Sequence, residues 1–251
     1  MKHAIFECAK PIIFAHRGAS RYAPENTIAA FDLAKKQGAP AIELDVMLSR
    51  DGIPMVIHDR RLDRTTNGSG MVDQHSLEEL SELDAGSSFS SLFKGEKIPH
   101  LRDILMRYRG ALIFNIELKN LHAPQDSLVE TVVAMVDEMN LSHTVIYSSF
   151  LPANLKKVKR LSPQSKTALI CLPGIRGSWI ASFFFLPVSR EFIHPFWRDV
   201  SLERIRWEHH RNRRLHAWTV NDEPTAADLA RKGIDGIMTD DPLAILSVLG
   251  Q

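Results

Sequence analysis

Short apolar runs recur along almost the whole chain, and most of them are followed by a stretch whose apolar residues repeat at helical spacing. Runs over 12–16, 41–46, 112–119, 144–148, 167–171, 191–194, 215–220 and 236–239 read as strands. Asn26 stands where it can cap a helix carrying Ile28, Phe31 and Ala34 on one face and closed by Gly38. Asp126 opens a longer helix with Leu128, Val132, Met135 and Met139 in phase. Asp222 with Pro224 begins another that stops at Gly233, and Asp241-Pro242 begins the last. Eight strands with intervening helices in 251 residues match the size of a closed (β/α)8 TIM barrel. An open doubly wound sheet is the competing α/β arrangement, but no G-x-G-x-x-G follows the first strand. The expectation is one barrel domain spanning residues 1–251.

Two features depart from a plain barrel. Asp51-Gly52 lies between the apolar-rich runs 46–49 and 53–57, a hairpin signal that would carry the second strand upward and return the chain to the barrel mouth. With Asp51 and Gly52 as the two turn residues, or with a four-residue loop over 50–53, Asp45 falls opposite His58. Residues 60–99 then form an insertion after the second strand, with turn residues at Asn67-Gly68-Ser69-Gly70 and a capping box starting at Ser76. Its size suggests a small lid-like subdomain over the mouth.

Two neighbouring segments carry chemistry. In Glu43-Leu44-Asp45 both carboxylates share one strand face, while Ile42, Leu44 and Val46 share the other. Asn115-Ile116-Glu117-Leu118-Lys119 repeats the pattern. In a barrel the polar face is the interior, and its carboxyl end lines the mouth where such folds place their sites. Glu43, Asp45 and Glu117 would converge there and repel, so a divalent cation is the natural solution. All-oxygen ligation selects Mg²⁺ or Ca²⁺, with Mn²⁺ also compatible, over zinc. The plainer alternative is a set of strand-end carboxylates paired with Arg and Lys.

His16-Arg17-Gly18 ends the first strand, and the hairpin brings His58 beside Asp45. A lone histidine is more often structural, but two at one mouth beside a cation and an arginine suit acid/base phosphoryl transfer. Three carboxylates and a divalent ion, balanced by Arg17 and Lys119, leave a single positive charge, which a phosphodiester monoanion would neutralise. Elsewhere charge is uninformative: 31 basic against 30 acidic residues leaves +1, without the basic excess of a general nucleic-acid binder. Cys8 and Cys171 match no metal-ligand spacing and suggest no disulfide scaffold. Glu7 interrupts the apolar start that a secretory signal needs, and the most apolar segment, 179–188, is half the length of a membrane span. A cytoplasmic protein without a transmembrane segment is expected; nothing bears on oligomeric state.

Eight motifs occur in order: Ile13-Phe14-Ala15-His16-Arg17-Gly18, Pro24-Glu25-Asn26-Thr27, Glu43-Leu44-Asp45-Val46, Val56-Ile57-His58-Asp59, Arg64-Thr65-Thr66, Ile98-Pro99 with Leu101, Glu117-Leu118-Lys119 and Trp218-Thr219-Val220-Asn221. Together they resemble the glycerophosphodiester phosphodiesterase family, a (β/α)8 barrel with an inserted subdomain after its second strand, from about Ile12 to Leu246. The closing Gly236-Ile237-Met238-Thr239-Asp240 is similar to the family's last strand. By motif, the resemblance makes His16 and His58 the acid/base pair, Arg17 the phosphate-binding arginine, Lys119 the lysine at the site, and Glu43, Asp45 and Glu117 the metal ligands. It implies hydrolysis of small glycerophosphodiesters to sn-glycerol 3-phosphate and an alcohol. His100 and His194 depart from the pattern, neither at an expected site position. The alternatives are a lysophospholipase D or sphingomyelinase D-like enzyme, and a non-catalytic barrel that binds phosphodiesters.

Lesser features each have a functional and a plain reading. Phe150 and Trp218 stand at strand ends, to pack on glycerol carbons or simply in the core. Phe89, Leu92 and Phe93 would hold the insertion down or line the pocket from above. The apolar residues 179–186 read as a barrel helix rather than a lipid contact. Arg204, Arg206, Arg211, Arg213 and Arg214, with His209 and His210, read as a solvated face rather than a site for anionic lipid. Ser148-Ser149 lacks the G-x-S-x-G elbow of a serine nucleophile.

Overall fold

The computed structural model describes residues 11–174, 179 and 183–251. Cys8 and residues 180–182 of the apolar segment 179–186 therefore lie outside the described residues, and within the rest of that segment Phe183 and Phe184 are about two-thirds exposed rather than packed on the barrel. The eight expected strands are present: β1 (Ile12–His16), β2 (Ala41–Leu48), β4 (Ile113–Leu118), β5 (Val145–Ser149), β6 (Lys166–Ile170), β7 (Phe192–His194), β8 (Arg214–Ala217) and β9 (Gly236–Thr239), with β3 (Pro54–Val56) hairpinned onto β2. Neighbours among the eight pair in parallel, and β1 pairs with both β9 and β2, which closes the sheet into a barrel. Helices α1 (Ile28–Lys36), α3 (Leu101–Tyr108), α4 (Leu128–Glu138), α5 (Pro152–Leu161), α6 (Leu202–His209), α7 (Glu223–Lys232) and α8 (Pro242–Val248) run between or after the strands, and α2 (Leu77–Glu82) lies in the insertion. This is the (β/α)8 architecture.

Both faces of a barrel strand are buried, so chemistry rather than burial separates inside from outside. On β2, Ile42, Leu44 and Val46 are fully buried against the helices with Phe31 and Ile104. Each contributes about 1.5–3 kcal/mol by leaving water. The lumen is apolar at its amino end, where Phe14, Ala41, Ile146, Ala168, Phe192 and Met238 cluster. Two residues further on, the same inward rows carry His16, Glu43, Ser148 and His194. The polarity of the site is thus built by the last one or two inward positions of β1, β2, β4, β5 and β7.

Helix signals hold closely. Asp222 accepts from Thr225 N, and Gly233 ends α7 in the left-handed region. Asp241 caps α8, Asp126 accepts from Leu128 N at the start of α4, and Ser76 with Glu79 forms the capping box of α2. At α1 the cap is Thr27, whose hydroxyl accepts from Ala30 N, not Asn26. Gly18 has φ +87°, and a Cβ there would lie 2.6 Å from the Ala30 backbone. The close approach that needs this glycine is that of α1 to β1, not of a ligand.

The hairpin register is one residue away from expectation. Val46 pairs with Val56 and Met47 with Met55, and Ile57 N donates to Asp45 O, so Ile57 rather than His58 lies opposite Asp45. Ser49 N still donates to Ile53 O, leaving a three-residue loop with Gly52 at φ +77°. A left-handed glycine ending a three-residue loop is a standard solution for hairpins. The Asp51 carboxylate accepts from Ser49 Oγ and from Leu77 N, so it caps rather than forms a two-residue turn.

Residues 60–99 have an apolar cluster of their own, in which Leu62, Val72, Leu80, Ala85 and Ile98 pack against Met47 and Met55. Phe89 and half-buried Phe93 pack edge to face within the insertion, Leu92 is 88% exposed, and none of the three lines the cleft at the strand ends. The basic cluster is also corrected. Arg204 and Arg213 are fully buried and clasp Glu208, also fully buried, at 3.0 and 2.6 Å. Arg214 and His209 pair with Asp235, and Arg211 lies 3.6 Å from the Trp207 ring centroid. Arg204 and Arg213 thus spend their charges inside the protein, whereas Arg206, His209 and His210 are exposed, as a solvated face requires.

Candidate active site at the carboxyl ends of the strands

At the carboxyl ends of the strands lies a cleft lined on one side by His16, Arg17, Glu43, His58, Glu117 and Lys119. Asp45 lies beneath them, 1% exposed. β1 and β2 put His16 and Glu43 at paired positions, and β2 and β4 put Asp45 beside Glu117. Glu43, Asp45 and Glu117 each present one carboxylate oxygen within 4.8 Å of the others. Burial and the neighbouring Asp45 push Glu43 up to about 8. Glu117 is raised by the same two causes, against the pull of Lys119. Burial also opposes ionisation of Asp45, but the charges of Arg17, Lys119 and His58 and a hydrogen bond from Asn26 outweigh it and hold Asp45 down at about 2.

This trio fits a hard divalent cation. Asp45 Oδ1 is buried with no hydrogen-bond partner, and all the donors are carboxylate oxygens. Two carboxylates raised by their neighbours are what a cation-binding pocket looks like before its charge is matched. The plainer reading is also partly visible, because Lys119 Nζ lies 3.0 Å from Glu117 and 3.6 Å from Asp45. Arg17 likewise pairs with Asp45 at 3.2 Å and donates to Glu25 at 3.0 Å.

Each histidine has a carboxylate behind it. His16 Nδ1 lies 2.7 Å from Asp240 Oδ1, which also accepts from Ser20 Oγ, and His58 Nδ1 lies 2.6 Å from Asp59 Oδ1. A carboxylate can only accept, so each Nδ1 carries the proton and each Nε2 is left for the cleft. The two rings differ in basicity. Burial lowers His16, but the Asp240 hydrogen bond and the Glu43 charge outweigh it, and the net shift is upward. His58 is lowered, mainly by burial and also by Arg17 and Lys119, against the pull of Asp45.

Several residues of the site carried no role in the sequence reading. Asn26, at φ +59°, donates Nδ2 to Asp45 Oδ2 at 2.9 Å and accepts Asp45 N on Oδ1. A buried non-glycine residue held in that region is a signature of a constrained site. Arg64 makes a two-pronged contact with Glu25 and also donates to Asp59, so the insertion joins His58 to Arg17 through a chain of charges. Asp59, Asp240 and Glu25 make the rim more acidic than the six inner residues alone suggest. The ordered motifs around Pro24-Glu25-Asn26-Thr27 and Arg64-Thr65-Thr66 were the available signal.

The far side of the cleft is formed by Phe150, Ile170, His194, Trp218, Thr219 and Met238. Phe150 and Trp218 meet edge to face at 5.9 Å between ring centroids, and Trp218 Nε1 donates to His194 O. Both aromatics therefore line the cleft. His194 lines it as well, which corrects the expectation that this position lies away from the site. Ser149 Oγ donates to Leu118 O and accepts from Leu151 N, a structural role.

Comparison with known proteins gives a consistent picture. A family model described as the glycerophosphoryl diester phosphodiesterase family matches residues 16–244. The chain is 43% identical to YhdW of Bacillus subtilis (strain 168), over 92% of this chain and 94% of that one. It is 37% identical to a glycerophosphodiester phosphodiesterase of Caldanaerobacter subterraneus subsp. tengcongensis, over 96% of this chain and 98% of that one. A phosphodiesterase of Oleispira antarctica, solved in complex with the product sn-glycerol-3-phosphate, superposes with a TM-score of 0.86 at 31% identity, covering 96% of this chain and 98% of that one. Among the described residues, no helix is long and apolar enough to cross a membrane.

Proposed function

The chain belongs to the glycerophosphoryl diester phosphodiesterase family and is an enzyme of that kind, and from that premise we propose how its own residues carry out the hydrolysis. The substrate is a glycerophosphodiester, cleaved to sn-glycerol 3-phosphate and an alcohol. The observation that supports this most is the grouping, on one side of one cleft, of two carboxylate-backed histidines with three carboxylates within 4.8 Å of one another.

His58, the less basic ring, takes the proton of the attacking oxygen on Nε2, while Asp59 holds its Nδ1–H and fixes the tautomer. His16, the more basic ring, stays protonated and gives its Nε2 proton to the departing alkoxide, with Asp240 stabilising the imidazolium. Arg17 and Lys119 turn from their carboxylate partners to the phosphoryl oxygens when the diester enters. Glu43, Asp45 and Glu117 hold one Mg²⁺ or Ca²⁺, or Mn²⁺, while Asn26 steadies Asp45 from below. The cation, when bound, supplies Lewis-acid polarisation of a phosphoryl oxygen and offsets the clustered negative charge.

Incubation with glycerophosphocholine, followed by phosphorus NMR, tests the reading. Glycerol 3-phosphate is expected as the phosphorus-containing product. Choline phosphate, or unchanged substrate in the presence of all three ions, would refute it. Chelation is expected to abolish turnover and any one of the three ions to restore it; full activity after exhaustive metal removal would release the three carboxylates from their role.

A further inference from the structure

The cleft has two chemically different halves. One is ionisable apart from Asn115; the other is apolar apart from His194 and Thr219. His194 is fully buried, and neither of its ring nitrogens has a hydrogen-bond partner within the protein. A buried polar group left in this state is uncommon and costly, and it implies a partner that the chain itself does not supply. The ring is held firmly from behind. It stacks on His216 at 5.1 Å between centroids, and its backbone oxygen accepts from Trp218 Nε1 at 2.8 Å and Cys171 N at 2.9 Å. His216 is itself wedged between Phe14 and Phe192, over Gly236, where a Cβ would come within 2.5 Å of the ring; its ring nitrogens also lack partners, but of the two rings His194 is the one that lines the cleft.

Burial and the neighbouring His216 keep the imidazole of His194 neutral. A neutral imidazole offers one donor and one acceptor, the complement of a hydroxyl. A quaternary ammonium matches neither, and an anionic oxygen uses only the donor. A second unpartnered acceptor belongs to another residue that lines the cleft: Asn115, on β4 two residues before Glu117, whose Oδ1 is buried.

We propose that His194 is a specificity-determining residue that binds a hydroxyl of the substrate's glycerol, with Asn115 Oδ1 accepting from the adjacent hydroxyl. This rests on the function proposed above and adds the direction in which the substrate lies. The phosphoryl group sits among the charged residues, the glycerol carbons lie against Phe150 and Trp218, and the leaving alcohol points outward. A plain alkyl phosphodiester is disfavoured because it leaves His194 and Asn115 without partners.

Calorimetric binding of sn-glycerol 3-phosphate and of propyl phosphate, which lacks both hydroxyls, provides the test. Wild-type protein is expected to bind the glycerol compound at least about 10-fold more tightly, since a site built for a hydroxyl discriminates against its absence. His194→Phe keeps the ring stack and is expected to reduce that preference to about threefold or less without weakening propyl phosphate. His194→Gln, which retains a donor and an acceptor, is expected to preserve part of it. In turnover of glycerophosphoethanolamine, the loss in His194→Phe is expected in KM more than in kcat. Equal affinity of the two phosphates for the wild-type protein overturns the proposal even if the variant fails to fold. An unchanged preference in folded His194→Phe, or equal weakening of both ligands, overturns it too. Because these are binding measurements, they remain decisive if glycerophosphodiester hydrolysis itself is not observed, the outcome that instead removes the functional reading.

Discussion

Each histidine of the site is defined by the carboxylate behind it. Under the mechanism proposed above, kcat follows a bell-shaped pH profile. Activity rises with pH as His58 loses its proton, at a pKa below 6.5, and falls again as His16 loses its proton, at a pKa above 6.5. Asp240→Asn removes the hydrogen-bonded charge that raises His16, so the alkaline limb is expected to move to lower pH. Asp59→Asn removes the charge that raises His58, so the acidic limb is expected to move to lower pH as well. Limbs that stay in place, or move upward, would contradict the assigned partners. His16→Ala and His58→Ala are each expected to reduce turnover by at least about 10²-fold while the melting transition persists. At this scale the sequence was readable in placement where one short motif carried it: His16, Glu43, His58 and Glu117 line one cleft, with Asp45 beneath them. It was opaque where the partner lies far along the chain. Nothing local to Asp240 reveals that it stands behind His16, 224 positions away. Asn26 reads as a helix cap from its neighbours, because a cap and an Asp45 clamp call for the same short amide.

All eight barrel strands were legible because each is a short apolar run bounded by turn or cap residues, and the caps of α7 and α8 were legible because Asp-x-Pro and Asp-Pro are strong starts. The β2–β3 register was not, since Asp51-Gly52 is compatible with loops of two, three or four residues. Only Asp51's commitment to Ser49 and Leu77 selects three. His58 reaches the cleft despite the one-residue shift because it follows the end of β3 and is free of the strand's alternation. The fit of α1 against β1 yields a firm expectation. Gly18→Ala combines a left-handed backbone with a contact of 2.6 Å to Ala30, and it is expected to cost about 3 kcal/mol or more in urea unfolding. A loss under 1 kcal/mol would show that α1 can retreat freely.

The molecule as a whole contains two concentrations of buried charge with opposite consequences. In the Arg204–Glu208–Arg213 group one carboxylate serves two guanidinium groups, so Glu208→Ala is expected to destabilise by about 3–5 kcal/mol by removing the buried anion that both contact. The carboxylate trio of the cleft is matched in part by Arg17 and Lys119, and under the function proposed above a cation supplies the rest. Glu43 is raised from 4.5 to about 8, so the folded protein holds a proton that the unfolded chain releases. Metal-free protein should therefore lose stability as pH rises from about 4.5 to about 8. Added Mg²⁺ or Ca²⁺ is expected to raise Tm more at pH 8 than at pH 5. A uniform increase across pH, or none, would place the ion elsewhere. The seam of the cylinder adds a last point. His16 and Glu43 face each other across the β1–β2 junction, and Asp240 follows β9 on the opposite flank of β1. The reaction centre therefore does not exist on any partial assembly of the chain. During refolding, recovered catalysis should lag behind recovered helix signal and track the final joining of the first and last strands, making enzyme activity a timer for ring closure.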